Sequence, residues 1–137
     1  MTIFDEELQQ LKEKILKMGS LVEDAIKNSI QALVERDDAI AQHVIDDDRV
    51  INTLDVEIDE ESIRLIALRQ PKAGDLRFIT TAMKISTDLE RMGDLGVNIA
   101  ERALELNRGH QTRTAQYLGI SVRVLQTYLK KISSQKS

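Results

Sequence analysis

The sequence predicts an all-α protein, an antiparallel three-helix bundle followed by a helix-turn-helix. Three observations support this prediction. The 137 residues include one proline. Apolar residues recur at intervals of three and four over long stretches, the spacing of one helix face. The last 31 residues, Asn107 to Ser137, hold six Lys or Arg and no acidic residue, whereas the 106 before them hold 13 basic and 23 acidic residues.

Turn and capping signals define three long helices before the basic tail. The first is expected from about Ile3 to Glu35, with Thr2 and Asp5 forming a capping box. The second is expected from about Ala39 to Arg69, because Gln70-Pro71 breaks the pattern. Asp75 is expected to cap the third. No breaker precedes Gly109, so the third helix can continue into the tail.

Each helix carries an apolar stripe that we expect in the bundle core. The first stripe is Phe4, Leu8, Leu11, Ile15, Met18, Val22, Ala25, Ile26, Ser29 and Leu33. The second is Val44, Ile45, Ile51, Leu54, Ile58, Leu65, Ile66 and Leu68. The third is Leu76, Ile79, Met83, Ile85, Leu89, Met92, Val97, Ile99 and Leu104. Short connections make neighbouring helices antiparallel.

Composition excludes several classes of function. The chain has no cysteine, which excludes disulfides and thiolate metal sites. No Ser, His and carboxylate arrangement is evident, so we do not expect an enzyme. The acidic N-terminus is unlike a signal peptide, and no apolar run is long enough for a membrane span. We therefore expect a cytoplasmic protein without membrane insertion.

The basic tail has the order of a helix, a tight turn and a second helix. Gly119 can adopt the left-handed conformation that ends a helix, and Ser121 can cap the next. A small apolar face is expected from Leu118, Ile120, Leu125, Leu129 and Ile132. These features favour two short helices that cross, as in DNA-binding helix-turn-helix units.

Gly109 to Ile132 resembles the helix-turn-helix of the Fis family, which also ends NtrC-type activators. The resemblance implies binding of double-stranded DNA, with phosphate contacts before the turn from His110, Gln111, Thr112 and Arg113. It implies a recognition helix from Ser121 to Lys131 whose candidate contact residues are Ser121, Val122, Arg123, Gln126, Thr127, Lys130 and Lys131. Such units usually act in pairs on two half-sites, so we expect a homodimer.

The body resembles one repeat of the PhoU phosphate-uptake regulator family over about residues 3–105. Three stretches carry the match: MGSLVEDAI from Met18, LIALRQPKAGDLR from Leu65 and DLERMGDLGVNIAER from Asp88. The resemblance implies a cytoplasmic regulator that restrains phosphate import and its sensor kinase. Two domains are therefore expected, a PhoU-like bundle at 1–105 and a helix-turn-helix at 106–137.

The PhoU resemblance also implies a metal site. The family's E-x-x-x-D motif is matched by Glu90 and Asp94, and Asn98 follows one turn later. Residues four apart share a helix face, so their oxygens form a column suited to a divalent cation or iron. A solvated acidic face is the alternative. Asp46-Asp47-Asp48 is a weaker candidate, because consecutive helical residues point in different directions.

These features predict a DNA-binding transcriptional regulator linked to phosphate uptake, with the bundle as a dimerisation or sensing unit. The alternative is a non-DNA-binding adaptor that negatively regulates a phosphate transporter ATPase or a sensor histidine kinase. A third possibility is a fusion of unrelated segments, since the two resemblances meet within one helix at about Leu104 to Asn107.

Overall fold

The computed structural model describes residues 1–119 and 121–135, except the side chains of His110, Thr114, Tyr117 and residues 132–135. Four helices follow in order: α1 (Ile3–Glu35), α2 (Asp38–Arg69), α3 (Ala73–Leu118) and α4 (Val122–Gln135). The first three pack against one another in an antiparallel bundle, and α4 contacts α3. The predicted all-α fold is confirmed, with no strand in the part of the chain that the structure describes.

Local signals set the helix ends of the bundle. The capping box predicted for α1 is present, with Asp5 N donating to Thr2 Oγ1 at 3.0 Å and Thr2 N to Asp5 Oδ2 at 3.1 Å. Asp37 caps α2 by accepting from Ile40 N at 3.1 Å, so α2 begins one residue earlier than predicted. The cap predicted at Asp75 is wrong, because Lys72 is the extended residue before α3 and Asp75 lies in its first turn.

The bundle core consists of aliphatic side chains from all three helices. Its fully buried members include Leu11, Met18, Ile58, Leu65 and Ile79. Each such side chain contributes roughly 1.5 to 3 kcal/mol through its removal from water. The buried positions of α1 and α2 fall largely on the predicted stripes, although Leu33 and Leu68 are exposed.

One buried carboxylate ties α1 to the end of α2. Glu7 accepts hydrogen bonds from Arg64 and from Arg69 Nε, the latter at 2.9 Å. The Arg64 hydrogen bond holds the pKa of the Glu7 carboxyl below its usual range, and Arg69 adds to this effect. The pair of arginines thus fixes the helix end that precedes the Gln70-Pro71 turn.

Small residues form the buried seam of α3, which corrects the predicted third stripe. Ala82, Ser86, Gly93, Gly96, Ala100 and Ala103 are buried. Leu76, Ile85 and Met92, predicted as core residues, are exposed. A Cβ at Gly96 would lie 3.5 Å from the carbonyl carbon of Ala25 in α1, and a Cβ at Gly93 would lie 3.4 Å from the Ile51 side chain in α2. Close approach of α3 to both neighbours therefore requires small side chains along its inner face.

Helix α3 continues without interruption across the predicted domain boundary. Asn107 is buried, and its Nδ2 donates to Asp38 Oδ1 at 2.6 Å, which ties this part of α3 to the start of α2. The helix ends at Gly119, which adopts the predicted left-handed conformation with φ of 70°.

Helix α4 packs on α3 through a smaller apolar contact than predicted. Ser121 Oγ accepts from Val124 N at 3.2 Å, as expected of a capping residue. Leu125 is buried, but Leu118 and Leu129 are exposed. Ile120 and the side chain of Ile132, also predicted for this apolar face, lie outside the described residues. Within the described residues no helix is long and apolar enough to cross a membrane.

Candidate functional site

An acidic cluster lies where α2 packs against α3. It consists of Asp48 and Asp55 from α2 together with Glu90 and Asp94 from α3. Asp48, Asp55 and Glu90 are partly buried, whereas Asp94 is exposed. The four-residue spacing of Glu90 and Asp94 places them on one face of α3, as predicted. The two α2 aspartates join them because the small α3 residues let the helices approach closely.

Polar neighbours hold the α2 carboxylates in place. Ser86 Oγ donates to Asp55 Oδ1 at 2.7 Å across the helix pair. Asn52 Nδ2 donates to Asp48 Oδ2 at 3.2 Å. Asp48 Oδ1 is buried and has no hydrogen-bond partner within the described part of the chain. A Cβ at Gly93 would lie 3.4 Å from this oxygen, so a larger residue there would press on the carboxylate.

Crowding of negative charge raises the pKa of two cluster carboxyls. Hydrogen bonding to Asp94 is the largest cause for Glu90, followed by burial and by the charges of Asp94, Asp55 and Asp48. Burial raises the pKa of Asp48, with a further contribution from the charge of Asp94 and an opposing one from Asn52. The cluster therefore favours binding a proton or another positive group.

The three consecutive aspartates diverge as predicted, but one of them belongs to the cluster. Asp46 accepts from Gln42 at 3.0 Å, and Asp47 pairs with His43 at 2.9 Å on the exposed side of α2. Asp48 instead points toward α3. Its role was missed because it depends on a contact between helices that sequence spacing does not reveal.

The cluster fits a metal ion only in part. A hard cation prefers carboxylate oxygens as ligands. Asp48 Oδ1, which has no hydrogen-bond partner among the described residues, and Glu90, whose pKa is raised, fit this preference. However, no group of three or more Asp, Glu or His side chains among the described residues is arranged to hold one ion. Asn98, the third predicted ligand, is exposed one turn beyond Asp94.

The predicted phosphate-contacting residues lie in the last turns of α3, within the single long helix. Thr112 and Arg113 are exposed, and Thr112 Oγ1 donates to Arg108 O at 2.9 Å. Gln111 is partly buried, and its Oε1 accepts from Gln126 Nε2 at 3.0 Å. The side chain of His110 lies outside the described residues.

The predicted recognition residues lie on α4 and at its start. The Gln126 amide is bonded to Gln111, so it links α3 to α4. Thr127 Oγ1 donates to Arg123 O at 3.0 Å within α4. Arg123, Thr127 and Lys131 line a shallow surface groove with Val124 and Tyr128. The remaining predicted contacts are Ser121, which caps α4, the partly buried Val122 and the exposed Lys130.

Comparison with known proteins identifies the family of the bundle. The PhoU domain matches residues 15–103, which is more than half of the chain. A phosphate-specific transport system accessory protein PhoU homolog of Rhizobium meliloti is 47% identical over 104 residues, covering 76% of this chain and 44% of the relative. The corresponding protein of Aquifex aeolicus is 49% identical over 100 residues, covering 73% of this chain and 45% of the relative. The chain belongs to the PhoU family.

Solved structures agree with this assignment. The crystal structure of PhoU from Pseudomonas aeruginosa superposes with a TM-score of 0.76 at 40% identity, covering 77% of this chain and 51% of that chain. The phosphate transport system regulatory protein PhoU from Streptococcus pneumoniae gives a TM-score of 0.69 at 38% identity, covering 74% of this chain and 48% of that chain. The chain spans about half the length of these relatives.

The prediction of a DNA-binding transcriptional regulator is wrong. The similar proteins and structures are phosphate transport accessory or regulatory proteins, which favours the adaptor alternative. The bacterial regulatory protein, Fis family, matches only residues 100–131. That stretch begins inside the bundle, where Ala100 and Ala103 are buried, so the match does not confirm a Fis-type fusion.

We predict that Glu90→Gln stabilises the protein at pH 7. The pKa of Glu90 is higher in the folded state than its ordinary value of 4.5, so ionisation of Glu90 costs folding stability as pH rises above 4.5. The gain in folding stability from Glu90→Gln should be present at pH 7 and should disappear below pH 4.5, the ordinary pKa of the carboxyl. Thermal melts followed by circular dichroism across this range measure it.

Glu23→Gln is the matched control, because Glu23 is exposed on α1. It should shift the melting temperature little at any pH. A Glu90→Gln protein that is less stable than wild type at pH 7 would contradict the assigned electrostatics.

Proposed function

We propose that this chain is a non-enzymatic adaptor that negatively regulates phosphate transport. The observation that carries the proposal is the PhoU bundle, matched at 40% identity or more by phosphate transport accessory proteins over about three quarters of the chain. The partner would be the ATPase subunit of a phosphate transporter or a phosphate-responsive sensor histidine kinase.

The acidic face of the bundle is the proposed docking surface. The first 106 residues carry 13 basic and 23 acidic residues, a net charge of −10. The acidic cluster concentrates this charge between α2 and α3, and exposed Asp59 extends it four residues beyond Asp55 on α2. A partner with a basic surface would be attracted, and its association rate would fall as salt screens the charges.

Binding to the two candidate partners tests the proposal. The full chain would be immobilised and exposed to the purified transporter ATPase and to the cytoplasmic part of the kinase from the same genome. We expect saturable binding to one of them and weaker binding as salt increases. We also expect Asp59→Lys to weaken the binding to this partner about tenfold, a loss of about 1.4 kcal/mol in binding free energy.

Glu23→Lys provides the same charge change on exposed α1 and should bind like wild type. Two further results would each count against the proposal. Equal losses in both variants would place the docking surface elsewhere than on the α2–α3 face. Absence of binding to either partner at low salt would contradict the adaptor function itself.

We also propose that Glu90, Asp94 and Asn98 supply ligands to a divalent cation or iron. The raised pKa of Glu90 supports this, since a bound cation would relieve the crowding of charge. The partial fit of the donor set implies weak binding, with further oxygen ligands from Asp48 or from solvent. The cation would bridge α2 and α3 and would leave the fold unchanged.

We therefore predict that Mn²⁺ stabilises the wild-type chain, because a cation that binds only the folded state raises its stability. Melting temperature would be measured by circular dichroism with and without millimolar Mn²⁺, and heat of binding by calorimetry. Asp94→Asn should abolish both effects. Asp59→Asn, next to the cluster, should retain them, and equal responses from the two variants would contradict the ligand assignment.

A further inference from the structure

Helix α4 presents apolar and basic side chains together on one exposed face. Val124 and Tyr128 are 54% and 65% exposed. Residues four apart are neighbours on a helix surface, so the two side chains lie side by side. Arg123, Thr127 and Lys131 form an adjacent row at the same spacing, and both rows line one shallow groove. We call these five residues the α4 outer face.

The packing of α4 leaves this face uncovered. Among the described residues, α4 contacts α3 and no other helix. That contact uses a different side of α4, where Leu125 is buried and Gln126 is bonded to Gln111. The α4 outer face also lies beyond residues 15–103, which the PhoU domain matches. The role of this face is therefore separate from that of the bundle.

The charge around α4 favours an anionic partner. Residues 107–137 carry six Lys or Arg and no acidic residue, a net charge of +6, whereas the first 106 residues carry −10. Helix α3 joins the two regions without interruption over 46 residues, about 69 Å. An anionic surface would attract the tail and repel the body. The chain would therefore approach such a surface with α4 first.

The apolar side chains on the same face indicate which anionic partner it fits. Phosphates of a nucleic acid or carboxylates of an acidic peptide would pair with Arg123 and Lys131 but would leave Val124 and Tyr128 in water. A lipid surface has anionic headgroups above an apolar layer, so it matches both rows. Tyrosine suits this boundary because its ring is apolar and its hydroxyl is polar. Arginine and lysine can lay their aliphatic stems on apolar surface and keep their charges among headgroups.

We propose that α4 lies flat on an anionic lipid surface through its outer face. Val124 and Tyr128 enter the boundary between headgroups and acyl chains, and Arg123 and Lys131 contact the lipid phosphates. The helix rests on the surface and does not cross it. This inference goes beyond the proposed adaptor function and does not require it.

The proposed lipid contact leaves the acidic cluster free. Asp94 of the cluster and Leu118 at the end of α3 are separated by 24 residues of one helix, about 36 Å along its axis. The body, whose net charge is negative, is repelled by the same headgroups that attract the tail. Lipid binding and docking of a protein partner would therefore use opposite ends of the molecule, and vesicles without protein test the first alone.

Cosedimentation of the full chain with lipid vesicles tests the proposal. We expect binding to vesicles of phosphatidylglycerol mixed with phosphatidylcholine, and binding to pure phosphatidylcholine that is weaker by about tenfold or more. Rising salt should weaken the binding to anionic vesicles, because it screens the basic side chains. Absence of binding to anionic vesicles at low salt, or equal binding to both kinds of vesicle, would overturn the proposal.

A charge variant tests whether α4 makes the contact. Arg123→Gln should weaken binding to anionic vesicles about fivefold, with unchanged helical circular dichroism. Arg49→Gln is the matched control on α2 and should bind like wild type. Both arginines are exposed, and the carbonyl of each accepts from the threonine four residues later, Thr127 at 3.0 Å and Thr53 at 2.8 Å. Equal losses in the two variants would overturn the assignment to α4.

A tryptophan reporter tests whether the apolar row enters the lipid, because the chain contains no tryptophan. Emission of Tyr128→Trp should shift to shorter wavelength when anionic vesicles are added, since the indole leaves water. Val56→Trp is the control, because Val56 is 54% exposed on α2, and its emission should not shift. Vesicle binding without a shift in Tyr128→Trp would show contact through charge alone and would overturn the proposal.

Soluble polyanions distinguish lipid from the other anionic partners. Polyglutamate and duplex DNA supply negative charge without an apolar layer, so neither should shift the emission of Tyr128→Trp. A shift to shorter wavelength with either polymer, equal to the shift with anionic vesicles, would assign the α4 outer face to that class of partner and would overturn the lipid proposal.

Discussion

The close approach of α3 to α1 and α2 is the constraint on which the rest of the structure depends. Gly93 and Gly96 face the neighbouring helices, and a Cβ on either would already be in van der Waals contact. Glycine inside a helix costs about 1 kcal/mol relative to alanine, so the packing must offset that cost. The short separation brings Asp48 and Asp55 to Glu90 and forms the acidic cluster. It also leaves several large apolar residues of α3, such as Ile85 and Met92, exposed.

Local signals explain why most of the fold was predictable from the sequence. The Thr2 capping box, the Gln70-Pro71 break and Gly119 each act through neighbours in the chain, and the structure confirms all three. The inner face of α3 was predicted only in part. Ile79 is buried and Leu89 packs against the core as predicted, but a periodicity argument gives most weight to large apolar residues and missed the small ones. Ala100, Ala103 and the glycines carry little hydrophobic signal, although they determine how closely the helices pack.

The candidate site was predictable only where it lies on one helix. The spacing of Glu90 and Asp94 placed them together, but the contribution of Asp48 depends on packing between α2 and α3. The burial of Asp48 follows from the contact between α2 and α3 and not from its position in a run of aspartates. The ion pair between Arg69 and Glu7 depends on packing in the same way, because 62 residues separate the two partners.

The basic tail shows how a sequence motif can suggest the wrong function. Its turn and cap formed as predicted, and α3 runs continuously from the bundle into it, as the lack of a breaker before Gly109 also predicted. Asn107 is tied to Asp38 within the bundle. Membership of the PhoU family, which phosphate transport accessory proteins share, is a stronger guide to function than the difference in charge between the body and the tail. Helix α4 contacts α3 beyond the residues that the PhoU domain matches, and the proposed docking surface lies on α2 and α3.

The stability of α3 glycine variants tests the central claim most directly. Gly96→Leu should lose about 1 to 3 kcal/mol in denaturant unfolding, because the added side chain must enter the contact with the Ala25 backbone. Gly96→Ala should be tolerated, and so should Gly109→Leu, because a Cβ at Gly109 meets nothing within 4 Å. A Gly96→Leu protein as stable as Gly109→Leu would show that α3 does not depend on close approach to α1.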